Sequence, residues 1–92
     1  GAQAGRQIEC TIYKSAIWGR SKEMCDVSFD DPRISKQHCV FEVRECGVVL
    51  SDLNSHNGTY VNGIKIPAEH LLHVGDTLQL GNIVLRVIQL AK

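Results

Sequence analysis

The sequence predicts an all-β fold, an antiparallel sandwich or barrel. Apolar and polar residues alternate in short segments along most of the chain, which is the pattern of half-buried strands. These segments recur at about ten-residue intervals, as in small β-sandwiches. Pairs of residues that favour turns, rich in Gly, Asn, Asp and Pro, separate them. The best helix candidate, residues 67–72, is too short to change the fold class.

Six segments show the strand pattern clearly. The first, residues 8–13, alternates Ile8, Cys10 and Ile12 with polar residues. The others are residues 38–44, 47–53, 59–62, 77–80 and 82–90. The pair Asn62-Gly63 predicts a type I′ hairpin turn, because both central residues of that turn need positive φ, which Asn and Gly tolerate best.

Length and charge exclude several classes of function. The 92 residues allow one domain with a single small core. We expect residues 1–5 to be a disordered terminus or a cloning remnant, and residues 6–92 to form the domain. Basic and acidic residues number ten each, so bulk charge gives no reason to expect nucleic acid or a membrane surface as the partner. No apolar run reaches the about 18–20 residues of a membrane span, and no signal peptide is apparent.

The four cysteines indicate the cellular compartment. They are Cys10, Cys25, Cys39 and Cys46, and no two of them form a C-x-x-C pair. Small buried thiols in a reducing compartment fit this arrangement better than disulfides do. We therefore expect an intracellular protein.

Three loops are more polar than turns require: residues 18–26, 31–38 and 51–63. The first two contain the basic residues Arg20, Lys22, Arg33 and Lys36. Guanidinium groups, hydroxyls, amides and loop N–H donors are the set that binds an oxyanion such as phosphate. The alternative is that these charges are ordinary solvated surface, that Ser35 caps a turn, and that the asparagines fill left-handed positions.

Catalysis, cofactors and metals are not expected. Ser35 and His38 could suggest a hydrolase pair, but the chain has no G-x-S-x-G elbow, and their spacing does not by itself aim an imidazole at the hydroxyl. His38 begins an alternating segment, so it should face inward or brace the preceding loop. His70 and His73 with a cysteine match no recognised metal-ligand spacing.

The chain closely resembles the forkhead-associated (FHA) domain over roughly residues 16–90. The resemblance lies in four segments: WGR, CDVSFDDPRISKQHCVFEV, SDLNSHNGTYVNGIKI and HVGDTLQLGNIVLRV. The G-R, S-x-x-H and N-G-T-x-x-N-G elements together are highly specific. The resemblance implies an antiparallel β-sandwich of about eleven strands, with loops at one end that bind phosphothreonine in a partner protein.

The resemblance also implies roles for the loop residues. Arg20 would make the charged contact to the phosphate, Ser35 would donate its hydroxyl to a phosphate oxygen, and Lys36 would add a second contact. Asn57 would hydrogen-bond the peptide main chain beside the phosphothreonine, and His38 would brace the Ser35 loop. The other supporting residues would be Gly19, Gly58, Thr59, Asn62 and Gly63.

Two further residues concern specificity. In FHA domains of checkpoint-type kinases, the loop that holds Arg33 helps to read the residue three positions after the phosphothreonine. An arginine there suggests an acidic or polar preference, with plain surface charge as the alternative. His56 stands where many relatives have Ser, Thr or a basic residue. As an imidazolium it would approach the phosphate, and binding would then strengthen below about pH 6.5. Gly58 and Thr59 are candidates for a niche around the threonine methyl group.

The sequence thus predicts a non-catalytic, phosphothreonine-dependent peptide-binding module. It would recruit its parent signalling protein, a kinase, to threonine-phosphorylated partners or to a second copy of itself. The segments around Arg20 and Ser35 are most like those of checkpoint or meiotic serine/threonine kinases, which implies the DNA damage response or meiosis, and the nucleus. The alternative is a phosphate-independent structural or dimerisation domain. The joint presence of Arg20, Ser35 and Asn57 favours phosphate binding.

Overall fold

The structure, a computed structural model that describes residues 8–91, consists of two packed five-stranded sheets. The ten strands in this range are Ile8–Ile12 (β1), Ala16–Gly19 (β2), Val27–Ser28 (β3), Cys39–Arg44 (β4), Gly47–Asp52 (β5), Thr59–Val61 (β6), Ile64–Lys65 (β7), Glu69–Leu71 (β8), Thr77–Leu80 (β9) and Ile83–Leu90 (β10). The predicted all-β sandwich is confirmed, with ten described strands where about eleven were expected. The prediction for residues 1–5 lies outside the described range.

The strand order is β1-β10-β9-β6-β7 in one sheet and β3-β2-β4-β5-β8 in the other. Most neighbouring strands are antiparallel, but β1 pairs with β10 and β2 pairs with β3 in parallel, so both sheets are mixed. The β2–β3 pair is parallel because the loop after Gly19 carries the chain back beside β2 before β3 begins. That loop, residues 20–26, therefore lies at the end of the sandwich where β2 stops.

The core fills the space between the two sheets. Phe41 and Leu50 from one sheet and Leu78 and Leu80 from the other are completely buried, and each such side chain contributes about 1.5–3 kcal/mol by leaving water. Trp18 packs on Phe41 with ring centroids 4.4 Å apart. This contact anchors β2, the strand that ends at Gly19 and is followed directly by Arg20. The rigid core thus fixes where the first polar loop begins.

Local sequence signals were reliable where strands are long. All six predicted strands are present, and none of their ends differs from the prediction by more than one residue. Asn62 and Gly63 have φ values of 53° and 82°, so the predicted hairpin turn between β6 and β7 is confirmed. The candidate helix at 67–72 instead contains β8, which pairs with β5. The four cysteines are free thiols, but the prediction that they are buried holds fully only for Cys39, since Cys10 and Cys25 are half-buried and Cys46 is exposed. In residues 8–91 no helix is long and apolar enough to cross a membrane.

Candidate functional site

Three polar loops meet at one end of the sandwich, with the segment around Ser35 in the middle. On one side, the backbone N–H of Arg20 donates to the Ser35 carbonyl at 2.9 Å. On the other side, the backbone N–H of His56 donates to Ser35 Oγ at 3.0 Å, and Asn57 Nδ2 donates to the Arg33 carbonyl at 2.8 Å. The structure therefore brings Arg20, Ser35 and Asn57 together, and we call this region the three-loop surface.

The Arg20 side chain is exposed but anchored. Its Nε donates to the Ile34 carbonyl at 2.9 Å, which leaves the two terminal amino groups of the guanidinium for another partner. Within residues 8–91, no carboxylate forms an ion pair with it. Gly19 makes this arrangement possible, because a Cβ there would lie 2.3 Å from the Lys36 carbonyl oxygen. A side chain at position 19 would separate the two loops.

His38 holds the Ser35 segment from below. Its ring is completely buried. Nδ1 accepts a hydrogen bond from the Ser35 N–H at 3.0 Å, and Nε2 lies 2.9 Å from the Gly58 carbonyl. Because a backbone N–H can only donate and a carbonyl can only accept, the proton of this histidine must be on Nε2. His38 thus links two of the three loops as a fixed neutral bridge, and its ring faces the interior.

A carboxylate shapes the loop that holds Asn57. Asp52 Oδ1 accepts hydrogen bonds from Ser55 Oγ at 2.5 Å and Thr59 Oγ1 at 2.7 Å, and Oδ2 accepts one from the Ser55 N–H. Ser55 Oγ in turn accepts from the Gly58 N–H. Burial raises the pKa of Asp52, but the hydrogen bonds from Ser55 and Thr59 outweigh burial and lower this pKa below its usual range. The loop is therefore built around an ionised Asp52.

Sequence reasoning did not select Asp52 and Ser55. The available signal was an Asp followed three residues later by a Ser, which favours a side-chain-stabilised turn.

Gly58 has a φ of 86°, and a Cβ there would lie 2.8 Å from Lys65 Cε, so this position favours glycine. Thr59 is completely buried, which makes it a support of the loop and removes it as a wall of an exposed methyl niche.

The exposed residues of the surface include Arg33, Asn57 and His56. The Arg33 backbone is held from both sides, because its N–H donates to Asp31 Oδ1 and its carbonyl accepts from Asn57. Asp31 Oδ2 also accepts from the Asn82 N–H at 2.8 Å. The hydrogen bond from Arg33 and other contacts outweigh burial and lower the pKa of Asp31. The Arg33 loop is thereby tied to the turn between β9 and β10.

The remaining predicted residues divide between the two ends of the sandwich. Lys36 is exposed on the Ser35 segment, and its carbonyl accepts from the Ser21 N–H at 3.2 Å and contacts Cys25 Sγ at 2.9 Å. Asn62 and Gly63 lie at the opposite end of β6 from the three-loop surface. They support the hairpin, and the structure does not bring them to the other predicted residues.

The three-loop surface has the chemistry of an anion site. Four cationic side chains on its loops are exposed: Arg20, Lys22, Arg33 and Lys36. The Ser35 hydroxyl lies on the middle segment, and the nearby carboxylates of Asp31 and Asp52 are occupied by loop donors. A phosphate monoester carries about −1.5 to −2 charges at neutral pH and three strong acceptor oxygens, which match these groups. Among the described residues, no set of three potential metal ligands lies at this end.

Comparisons with solved structures place the fold among FHA domains. A chain solved in a structural and functional analysis of phosphothreonine-dependent FHA domain interactions is 33% identical, with a TM-score of 0.69 over 79% of this chain and 77% of that one. The MEK1 FHA domain, solved in complex with a HOP1 phosphothreonine peptide, is 28% identical, with a TM-score of 0.68 over 84% of this chain and 82% of that one.

Curated proteins match over most of this chain but little of their own length. Proliferation marker protein Ki-67 of Mus musculus is 39% identical over 66 residues, which are 72% of this chain and 2% of that protein. Kanadaptin of Homo sapiens is 33% identical over 83% of this chain and 12% of that protein. The family model for the FHA domain matches residues 17–81. The chain therefore belongs to the FHA domain family, whose members are binding modules.

Proposed function

We propose that this domain binds phosphothreonine peptides through the three-loop surface. The observation that carries the proposal is the hydrogen-bonded placement of the Ser35 segment between the Arg20 loop and the Asn57 loop. This placement brings a guanidinium, a hydroxyl and a side-chain amide to one exposed area. Chains of similar structure, including the MEK1 FHA domain, were solved with phosphopeptides.

Two of the proposed phosphate contacts, those of Ser35 and Arg20, are supported by hydrogen bonds within the domain. Ser35 Oγ accepts from the His56 N–H, so its own hydrogen is free to donate to a phosphate oxygen. Arg20 uses Nε on the Ile34 carbonyl and offers its terminal amino groups to the phosphate. Hydrogen bonds to charged groups contribute about 1.5–3 kcal/mol each. Two or three of them are enough to make binding depend on phosphorylation.

The peptide contacts come from the neighbouring loop. Asn57 is held by its bond to the Arg33 carbonyl, so its amide is oriented before the peptide arrives and can fix the register of the peptide main chain. Arg33 would face an acidic or polar residue three positions after the phosphothreonine. Lys36 would add charge beside the phosphate, and His56 would do so when it is an imidazolium.

The proposal extends to the parent protein. We propose that the domain recruits an intracellular, nuclear serine/threonine kinase of the checkpoint or meiotic type to phosphorylated partners, including a phosphorylated copy of the same protein. The support is the similarity to the MEK1 FHA domain. Ki-67 and kanadaptin match as well. The full-length sequence of the parent tests this extension: a kinase domain in the same chain supports it, and the lack of one refutes it.

Calorimetry with one peptide in three forms tests the main proposal. The phosphothreonine form is expected to bind and the unmodified form to show no binding. The phosphoserine form should be about tenfold weaker or more, because it lacks one methyl group. Arg20→Ala should lose about 2–5 kcal/mol of binding free energy, which is at least about thirtyfold in affinity.

The matched control is Lys22→Ala, which removes an exposed charge from the same loop and should leave the affinity almost unchanged. Equal binding of all three peptide forms would support the structural or dimerisation alternative. Full affinity of Arg20→Ala would also contradict the proposed phosphate contact.

A further inference from the structure

We propose that the end of the sandwich opposite the three-loop surface contains a binding site for Zn²⁺ or a cation of similar preference, with His70, His73 and Asp76 as ligands. Each of these residues offers one ligand atom, and the three atoms lie within 4.8 Å of one another. His70 lies in β8, and His73 and Asp76 lie in the connection from β8 to β9. We call these three residues the far-end site.

The distances suit a metal better than a simple ion pair. His70 Nε2 and Asp76 Oδ2 are 3.3 Å apart, whereas charge-assisted N–H···O bonds are usually about 2.7–2.9 Å. Ligand atoms at about 2.0–2.1 Å from a tetrahedral Zn²⁺ are separated by about 3.3–3.4 Å. Two of the three ligand atoms thus already have the spacing of a coordination edge. His73 is exposed, and a side-chain rotation can bring its ring nitrogen closer.

The carboxylate at the centre is held in place by other contacts. Asn62 Nδ2 donates to Asp76 Oδ1 at 3.0 Å, and Asn62 Oδ1 accepts from the Thr77 N–H, which fixes the orientation of the amide. The His73 N–H donates to Asp76 Oδ2 at 2.9 Å. Metal ligands are commonly oriented by hydrogen bonds of this kind. Asn62 therefore orients the Asp76 carboxylate in addition to forming the hairpin turn.

The loop between the ligands is also fixed. The Asp76 N–H donates to the His73 carbonyl at 3.0 Å, and Gly75 has a φ of 98°, as expected for the third residue of a type II turn. The Gly75 N–H and the Asp76 carbonyl both bond to Val87 in β10. Because the turn is hydrogen-bonded to a core strand, little conformational entropy is lost in ordering the ligands when a cation binds.

The ligand types select the cation. Imidazole nitrogens suit zinc, copper and nickel, whereas calcium and magnesium prefer oxygen ligands alone. Three protein ligands leave a fourth tetrahedral position for water. The sequence predicted no metal here because His70 and His73 have no cysteine at a spacing that is known for metal ligands. The fold brings Asp76 to them instead.

Binding at the far-end site would join the two sheets. β8 belongs to one sheet and β9 to the other, so a cation held by His70 and Asp76 would connect them. The three-loop surface lies at the other end of β6. The cation is therefore expected to stabilise the domain without changing its affinity for a phosphopeptide.

Thermal unfolding with and without Zn²⁺ tests the proposal. At a free Zn²⁺ concentration about ten times the Kd, the Tm of the wild-type domain should rise by at least about 5 °C, and a chelator should reverse the rise. His73→Ala and His70→Ala should each weaken Zn²⁺ binding, measured by calorimetry, by at least about tenfold. The matched control is His56→Ala, which removes an exposed histidine at the other end and should leave Zn²⁺ affinity unchanged.

His73→Ala is the decisive variant because the His73 ring is exposed, and each variant is compared with itself with and without Zn²⁺. Unchanged Zn²⁺ affinity in His73→Ala, or no Zn²⁺-dependent rise in Tm of the wild type, would overturn the proposal. Cobalt provides a second test, because Co²⁺ at this site should give visible bands without thiolate-to-metal charge transfer. Charge-transfer absorption would assign the metal to cysteines and would overturn the proposal as well.

Discussion

Replacement of His38 by leucine is expected to lower the free energy of unfolding by about 2–6 kcal/mol. The His38 ring is completely buried and joins the Ser35 N–H at 3.0 Å to the Gly58 carbonyl at 2.9 Å. Leucine fills a similar volume but can neither accept nor donate a hydrogen bond, so both backbone groups lose their partner. Each unsatisfied buried group costs about 1–3 kcal/mol. Since a small domain is stable by only about 5–15 kcal/mol, this loss is large.

Two amide substitutions separate the contributions of the two bonds. In His38→Asn, the side-chain oxygen can take the place of Nδ1 and keep the Ser35 bond. In His38→Gln, the side-chain nitrogen can take the place of Nε2 and keep the Gly58 bond. Each amide variant should therefore lose about half as much stability as leucine. His38→Asn should also retain more phosphopeptide affinity, because it keeps the Ser35 segment in position.

Urea unfolding at neutral pH measures these differences, provided that the slope m is the same in all variants. Calorimetry with a phosphothreonine peptide measures the affinity of each folded variant. A leucine variant within about 1 kcal/mol of the wild type would refute the bridging role of His38, because it would mean that the two backbone groups need no partner.

Three further predictions concern neighbouring residues. Gly19→Ala should cost about 1–3 kcal/mol of stability and weaken phosphopeptide binding, because its Cβ would lie 2.3 Å from the Lys36 carbonyl oxygen. A wild-type stability in urea unfolding together with a wild-type affinity in calorimetry would contradict this. The pKa of Asp52 is lowered in the folded domain, so Asp52 stabilises the domain above the usual aspartate pKa of about 3.9 and the contribution is lost as the pH falls through the lower folded value. Asp52→Asn should therefore flatten the decline in stability that urea unfolding records from about pH 5 downward, and an unchanged decline would exclude Asp52 as its source. Arg33→Gln should reduce the preference for a phosphothreonine peptide with Asp rather than Ala at the third following position, and equal wild-type affinities for the two peptides would contradict the proposed role of Arg33.

The sequence was sufficient for those parts of the fold that local chemistry determines. Alternation with a period of two marks a long strand such as β4 or β10 without any knowledge of its partners. The Asn62-Gly63 turn is equally local. In contrast, β3 and β7 have two residues each, too few to show an alternation. These short strands exist because longer strands pair with them, and their pairing is not visible in the sequence.

The same distinction applies to the site. Arg20, Ser35 and Asn57 could be selected because family motifs contain them. His38 and Gly19, which hold them in position, were predicted on the same ground. Asp31 and Asn82 could not be predicted, since they act through a contact between distant segments. Asp31 and Asn82 are 51 positions apart and still share a hydrogen bond of 2.8 Å. At the far-end site, likewise, the contact of Asp76 with His70 depends on the meeting of the two sheets, and its contact with Asn62 depends on the pairing of β6 with β9.

An NMR titration of the ¹⁵N-labelled domain with a phosphothreonine peptide shows directly whether the three-loop surface is the binding site. We expect the largest changes in amide chemical shift at Arg20, Ser35 and His56, while Gly63 and Gly75 at the other end should stay almost unchanged. The unmodified peptide should cause no such changes. Largest changes at Gly63 and Gly75, or equal changes with the unmodified peptide, would contradict the claim that the three-loop surface recognises phosphothreonine.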